Sequence, residues 1–316
     1  MKRKAVDREA LVKGIVAGDR RLMARALRIV DDDPENARLL AADLYPHRKK
    51  PVVIGVTGNP GAGKSTIVDK MIAAFRAQNK SVAVLAVDPS SPFSGGAILG
   101  DRIRMSGHFS DDGVYIRSLA TRGALGGLSR STFDSVRVLD AAGYDVILIE
   151  TVGVGQDEVD VVRLADTTVV VVVPGLGDDV QAIKAGLLEI ADVFLLNKSD
   201  RPGVDELEQG LRYMLSLGLE AMPWEPPMVR AVALRNEGID TLLEKIAAHG
   251  EFLHGDDGIE RKKHRRNELF QRILDAALVD HGRKRLGKAY DDAVQNVIDE
   301  AHDPYAEVLQ LLRGLA

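Results

Sequence analysis

Gly58-Asn59-Pro60-Gly61-Ala62-Gly63-Lys64-Ser65 is the stretch on which the fold of this chain turns. It fits G-x-x-x-x-G-K-[ST], a pattern with a physical basis. Glycines let successive backbone N–H groups turn inward around phosphate oxygens, which side chains would obstruct. The lysine brings a mobile positive charge to the β and γ phosphates, and the hydroxyl that follows suits Mg²⁺. An apolar run ends at Thr57, and Ile67, Met71, Ile72 and Phe75 then recur at the spacing of one helix face. Strand, phosphate-cradling loop and helix are therefore expected in that order, with the helix dipole aimed at the anion. Gly58, Asn59, Pro60, Gly61, Ala62, Gly63, Lys64, Ser65 and Thr66 become candidate nucleotide-binding residues, Lys64 also a catalytic one and Ser65 a metal ligand.

The choice of base comes from Asn197-Lys198-Ser199-Asp200, which follows the apolar run 193–196 and matches N-K-x-D. The Asp200 carboxylate can accept hydrogen bonds from the ring N1–H and the exocyclic amino group of guanine, a donor pair that adenine lacks. A wrong base would leave polar groups unpaired, which makes this kind of selection strong. Asn197 supports the loop and reaches the base edge, and the Lys198 stem covers the base face. Val232, Ala233 and Leu234 are a weaker candidate for closing over the base.

Two acids stand at strand ends between these anchors. Asp88 follows the run 81–87 and Glu150 ends the run 146–149, so both project toward the phosphates and are candidate ligands for Mg²⁺, directly or through water. Glu150 opens Glu150-Thr151-Val152-Gly153-Val154-Gly155-Gln156, which resembles the D-x-x-G of switch regions. The long stretch 89–113 is rich in Gly and Ser and reads as a first switch. Within it, Asp101 is a candidate to reach the metal or orient water, and Arg102 or Arg104 to neutralise charge on the transferred phosphoryl. Gln156 is another candidate for positioning water. For these four, solvated loop residues are the alternative reading.

Around this centre, strands are expected at 52–57, 81–87, 114–116, 146–150, 167–173, 193–197 and 228–233. Runs apolar on both faces, alternating with amphipathic helices, predict an α/β protein: a P-loop NTPase with a mostly parallel, doubly wound sheet. Residues 1–50 read as an N-terminal helical arm. Leu11 and Ile15, then Leu22, Ala26, Leu27 and Val30, form its buried face, and Asp33 caps a helix that Pro34 opens. Residues 51–250 are the nucleotide domain. Residues 251–316 are a glycine-bearing linker, 250–258, and C-terminal helices with apolar stripes at Leu269, Ile273, Ala276, Ala277 and at Val294, Val297, Ile298. Such a tail serves as a dimerisation or partner surface, or packs on its own domain.

Composition narrows the classes. The 316 residues contain no cysteine, which removes disulfides, thiolate metal sites and cysteine nucleophiles. A net charge of -5 gives no reason to expect nucleic acid as partner. The basic run 261–266 reads as the solvated start of a helix, with a docking patch as the other reading. No apolar run approaches the roughly 20 residues needed to span a bilayer, and no secretory signal opens the chain, so no membrane association and a cytoplasmic location are expected.

Taken in order, residues 58–66, Val87-Asp88-Pro89-Ser90-Ser91, Gly100-Asp101-Arg102-Ile103-Arg104-Met105, 150–156 and 197–200 resemble the MeaB/ArgK family of G proteins, over almost the whole chain. The resemblance implies a G domain of the class with signal-recognition and nickel-insertion GTPases, dimeric through its C-terminal helices. It implies Lys64, Asp88, Asp101 and Glu150 as phosphate, magnesium and hydrolysis residues, and 174–184 as a third switch, with Lys184 as relay. The family's function is GTP binding and hydrolysis, slow alone and stimulated by a partner. That partner is an adenosylcobalamin-dependent acyl-CoA mutase of the methylmalonyl-CoA type, whose cofactor loading the GTPase gates and which it protects and reactivates. An adenosyltransferase is a further expected partner. The D-x-H-x-x-G pattern of base-off cobalamin binding is missing, so this chain is expected to carry GTP or GDP and Mg²⁺ but no cobalamin. A nickel-insertion GTPase and a kinase of a transport-related protein are the competing functions. The absence of cysteine and the scattering of seven histidines oppose the first, and 197–200 opposes ATP as donor for the second.

Overall fold

Three aspartates punctuate the first helices. Asp7 accepts from the Ala10 N–H, Asp19 from those of Arg21 and Leu22, and Asp33 from that of Asn36 with Pro34 in the first turn. Each satisfies donors that a helix start leaves without partners, and the result is α1 (Arg8–Val16), α2 (Arg20–Asp32) and α3 (Pro34–Leu44). Leu11, Ile15, Ala26, Leu27 and Val30 are buried as expected. Met23 is buried with them, and the half-buried Leu22 packs against the same cluster.

The computed structural model describes residues 7–88, 105–120, 130–151, 164–175, 185–218 and 223–315. The chain divides into two units, Met1–Asp257 and Gly258–Ala316. In the first, β1 (Val52–Gly58) leads to α4 (Lys64–Ala77), β2 (Val82–Asp88), β3 (Val114–Ala120), α5 (Arg130–Ala142), β4 (Val146–Thr151) and β5 (Thr167–Val172). There follow α6 (Ala185–Ile190), β6 (Val193–Asn197), α7 (Val204–Gly218), β7 (Met228–Ala231) and α8 (Ile239–Phe252). The described strands form one sheet in the order β3-β2-β4-β1-β5-β6-β7, and every pairing is parallel.

Helices cover both faces, which is why the strands are apolar throughout. On one face α4 buries Ile67, Val68, Met71, Ile72 and Phe75 with Ile54, Val56, Val84 and Leu148, each side chain contributing about 1.5–3 kcal/mol as an upper bound. On the other, Leu11, Met23, Leu27 and Leu40 pack with Leu85, Ile147, Ile149 and Leu139 of α5. The arm is thus part of the core of its unit rather than an appendage. The chain reverses direction across the sheet at β1, and the carboxyl ends of β1 and β4 border that switch point.

Three local expectations change. β3 runs on to Ala120 instead of stopping at Ile116, because all seven of its residues pair with β2. β7 stops at Ala231, and the chain turns through a single antiparallel bridge, Val232 to Glu237. The expected linker 250–258 is largely helical. α8 reaches Phe252 and α9 (Asp256–Leu286) starts four residues later, since a glycine costs a helix only about 1 kcal/mol.

The second unit continues α9 and adds α10 (Lys288–Ile298) and α11 (Pro304–Leu315). Asn296 and His302 both bond Glu307, which fixes α10 against α11. Its apolar residues are largely uncovered in the single chain, with Phe270 60% and Ile298 66% exposed.

Candidate functional site

The loop from Gly58 to Gly63 joins two rigid elements and is shaped by the two glycines at its ends. Gly58 has φ +135°, and a Cβ there would stand 2.1 Å from the Val171 carbonyl oxygen of the adjacent strand. Gly63 has φ +94°, and a Cβ would stand 2.5 Å from Asn197 Nδ2. No L side chain fits either position without a shift. Ala62 is fully buried, Pro60 and Gly61 are exposed, and Thr66 is half-buried in the first turn of α4.

Lys64 is 6% exposed and folds back over the loop, donating from Nζ to the carbonyls of Gly58 (2.7 Å) and Asn59 (3.1 Å). Ser65 donates from Oγ to Glu150 Oε1 at 2.6 Å. Strand register explains that contact. Glu150 is opposite Val56, so its side chain lies on the α4 face of the sheet. One residue on, the Thr151 hydroxyl donates to that of Thr57 at 2.9 Å, joining the end of β4 to the strand that enters the phosphate loop. Asp88 is the last residue of β2 and pairs with Ala120, at the same carboxyl edge. The donor set is therefore hard oxygen beside a cradle of backbone N–H groups and a buried ammonium, which fits a magnesium–nucleotide.

The base side is tied directly to this cradle. Asn197, 3% exposed, donates from Nδ2 to the Ala62 carbonyl (2.8 Å) and accepts the Ala233 N–H at Oδ1 (3.1 Å). Both ends of one amide thus join the phosphate loop to the turn 232–237. Lys198, at a left-handed φ of 58°, reaches Gly61 O with Nζ at 2.8 Å. The Ser199 N–H bonds Ala231 O at 3.0 Å. Val232 and Ala233 are buried, whereas Leu234 is 86% exposed, an apolar side chain standing in solvent beside the base loop. Asp200 faces Arg235, whose Nη1 is 3.5 Å from its Oδ2. Sequence reasoning missed Arg235; its only signal was a cation directly after the candidate base-closing tripeptide.

The stretch read as a first switch is described from Met105 onward. Met105 is buried in the α4 core, His108 Nε2 is 3.0 Å from Asp69 Oδ1, and Asp111 takes both Nε and Nη2 of Arg76. The hydrogen-bonded Arg76 guanidinium holds the Asp111 carboxyl below its usual range. Two side chains of α4, seven residues apart, therefore anchor the chain that follows residue 104. Asp101, Arg102, Arg104, Gln156 and Lys184 lie outside the described residues.

A P-loop after the first strand of a parallel sheet, locked by an N-K-x-D asparagine to the turn beyond the last strand, defines a P-loop GTPase. Residues 23–285 match the family model described as Methylmalonyl Co-A mutase-associated GTPase MeaB. The chain belongs to the MeaB family. A protein of Pyrococcus abyssi named as a GTPase is 45% identical over 312 residues, covering 97% of this chain and 96% of its own. The GTPase ArgK of Escherichia coli is 36% identical over 244 residues, 74% of this chain and 73% of its own. In mouse, the protein named methylmalonic aciduria type A homolog, mitochondrial, is 36% identical over 267 residues, 79% of this chain and 63% of its own. A crystal structure of an LAO/AO transport system kinase superposes with a TM-score of 0.68 at 24% identity, covering 99% of both chains, a likeness of fold. Among the described residues no helix is long and apolar enough to cross a membrane.

Proposed function

We propose that this GTPase gates the loading of adenosylcobalamin into an acyl-CoA mutase of the methylmalonyl-CoA type, and protects and reactivates that enzyme, at the cost of GTP hydrolysis. The observation that carries the nucleotide half of this reading is the Asn197 amide, which holds the phosphate loop and the base-side turn in one frame. The mutase half is supported by the description of the matched family over 23–285 and by the name of the mouse relative.

Lys64 turns its Nζ toward the β and γ phosphate oxygens, where charged acceptors make the stronger hydrogen bonds. Ser65, Glu150 and Asp88 would hold magnesium, Ser65 through its hydroxyl and the acids directly or through water, with Asp101 as a further ligand or water-orienting group. Magnesium supplies charge neutralisation at the phosphates. Gln156 positions the attacking water. Asp200 accepts the guanine N1–H and amino group, and the exposed Leu234 and the stem of Lys198 cover the base. The stretch 174–184, with Lys184, relays nucleotide state to the partner. The exposed apolar side chains of the second unit, Phe270 and Ile298 among them, support homodimerisation, and the adenosyltransferase is a second proposed partner.

The test is GTP and ATP turnover with and without purified methylmalonyl-CoA mutase. GTP hydrolysis that is slow alone, rises with the mutase and exceeds ATP hydrolysis is expected. No response of turnover or of mutase loading to the pairing sinks the mutase half, and equal use of ATP sinks the base assignment. A narrower expectation concerns Glu150. Glu150→Gln removes a charge from the group that accepts the Ser65 hydroxyl, so the magnesium needed for half-maximal turnover is expected to rise about ten-fold, as for other partners behind a metal ligand. An unchanged magnesium titration removes Glu150 from the metal site.

A further inference from the structure

Asp200 and Arg235 lie 35 positions apart in sequence, yet each sits on a loop that the fold has already joined to the other. Ser199 donates to Ala231 O, and Ala233 donates to Asn197 Oδ1. Within 232–237 the backbone is closed on itself: Val232 and Glu237 exchange both hydrogen bonds (3.1 and 3.3 Å), and Asn236 takes a left-handed φ of 58°. Arg235 is fixed on this turn by a fork to its neighbour, Nε to Glu237 Oε1 at 2.8 Å and Nη2 to Oε2 at 3.2 Å. That leaves Nη1 pointing at Asp200 Oδ2, 3.5 Å away.

From this geometry we infer that Arg235 is a positioning residue for guanine recognition: held by Glu237, it fixes the orientation of the Asp200 carboxylate. The inference rests on the reading of Asp200 as the guanine acceptor and says what aims that acceptor. A carboxylate offers about four lone-pair sites, so one contact from Nη1 leaves both oxygens able to accept from a base. A freely rotating Asp200 would align with two donors of a purine only part of the time, at an entropic cost to each binding event. The fork to Glu237 restrains Arg235 in the chain without a bound base, so part of that ordering cost is met before the nucleotide arrives. Both side chains of the pair are partly open to water, 54% for Arg235 and 42% for Asp200, so the effect is selective rather than large.

The test compares GTP, inosine triphosphate and ATP binding to the full chain and to Arg235→Ala, by calorimetry in magnesium buffer. Inosine triphosphate keeps the N1–H and lacks the amino group, so it needs one carboxylate oxygen where GTP needs two. Arg235→Ala is expected to weaken GTP about five-fold and inosine triphosphate less than about two-fold, shrinking the ratio between them. Arg235→Lys, which returns a cation beside Asp200, is expected to recover most of the lost ratio. A merely structural role for Arg235 would weaken both nucleotides together and leave their ratio unchanged, and that result overturns the inference. So does tighter GTP binding in Arg235→Ala, which would make Arg235 a competitor of the base, and so does a lysine variant indistinguishable from the alanine one. A parent chain with no preference for GTP over ATP would instead bring down the underlying base assignment.

Discussion

Lys64→Ala is expected to reduce GTP turnover by about two to three orders of magnitude, the cost of removing a pre-aimed donor from a site of developing charge, and to weaken GTP binding severely. In the described structure the ammonium is 6% exposed and satisfied by two backbone carbonyls of the loop it serves. A triphosphate offers charged acceptors, which make stronger hydrogen bonds to an ammonium than these carbonyls do. Truncation also empties the place of a long side chain inside the cradle, but the loop does not depend on it for shape. Gly58, Gly63 and the Asn197 contact to Ala62 O set the backbone independently, so the variant is expected to fold and melt close to the parent. Turnover and affinity measured together with thermal denaturation separate the two effects. Near-normal hydrolysis in a folded variant would remove this loop from the nucleotide site.

The parts of this site legible in sequence are those in which chemistry and local backbone coincide. Residues 58–66 carry their own reason for being glycine, lysine and serine, and the flanking periodicity gives the strand and the start of the helix within one residue of those observed. The parallel sheet is legible for the same reason: strands such as Val146–Thr151 and Thr167–Val172 are buried at every position, so apart from threonines and the site acid Glu150 their residues are apolar without alternation. Harder to see are contacts made across the fold. The Ser65–Glu150 bond spans 85 positions, and strand pairing brings the two groups together. Arg235 is invisible as a partner of Asp200 until β6 and β7 are known to be neighbours. The arm was legible as helix but not as core, because a buried helix stripe does not say which surface buries it. Met23 joins the face beside Leu22, because a stripe about 100° wide admits both. The glycines at 250, 255 and 258 suggested a linker, yet only 253–255 leaves the helices; glycine weakens a helix without forbidding it.

Asp200→Asn is expected to weaken GTP binding by about a hundred-fold and to shift preference toward xanthosine triphosphate, the size following from one lost charge-assisted hydrogen bond and one donor set against another. The carboxylate accepts from both N1–H and the exocyclic amino group. An asparagine keeps one acceptor but turns a donor toward the amino group, and two donors facing each other leave a hydrogen bond unmade. Xanthine carries a carbonyl where guanine carries that amino group, so the same amide pairs with it at both positions. The surrounding frame supports a clean test. Asp200 carries no core packing, standing 42% exposed beside Arg235, while Asn197 and the Ser199 N–H hold the loop through atoms the substitution leaves alone. Arg235 sharpens the expectation, because an uncharged amide attracts it less, and the turn 232–237 loses one of its ties to the base loop. Competition between GTP and xanthosine triphosphate, read as binding and as turnover, checks both halves. Retained GTP affinity in a folded Asp200→Asn variant would show that the base is chosen elsewhere in the chain, and the guanine assignment built on residues 197–200 would fall.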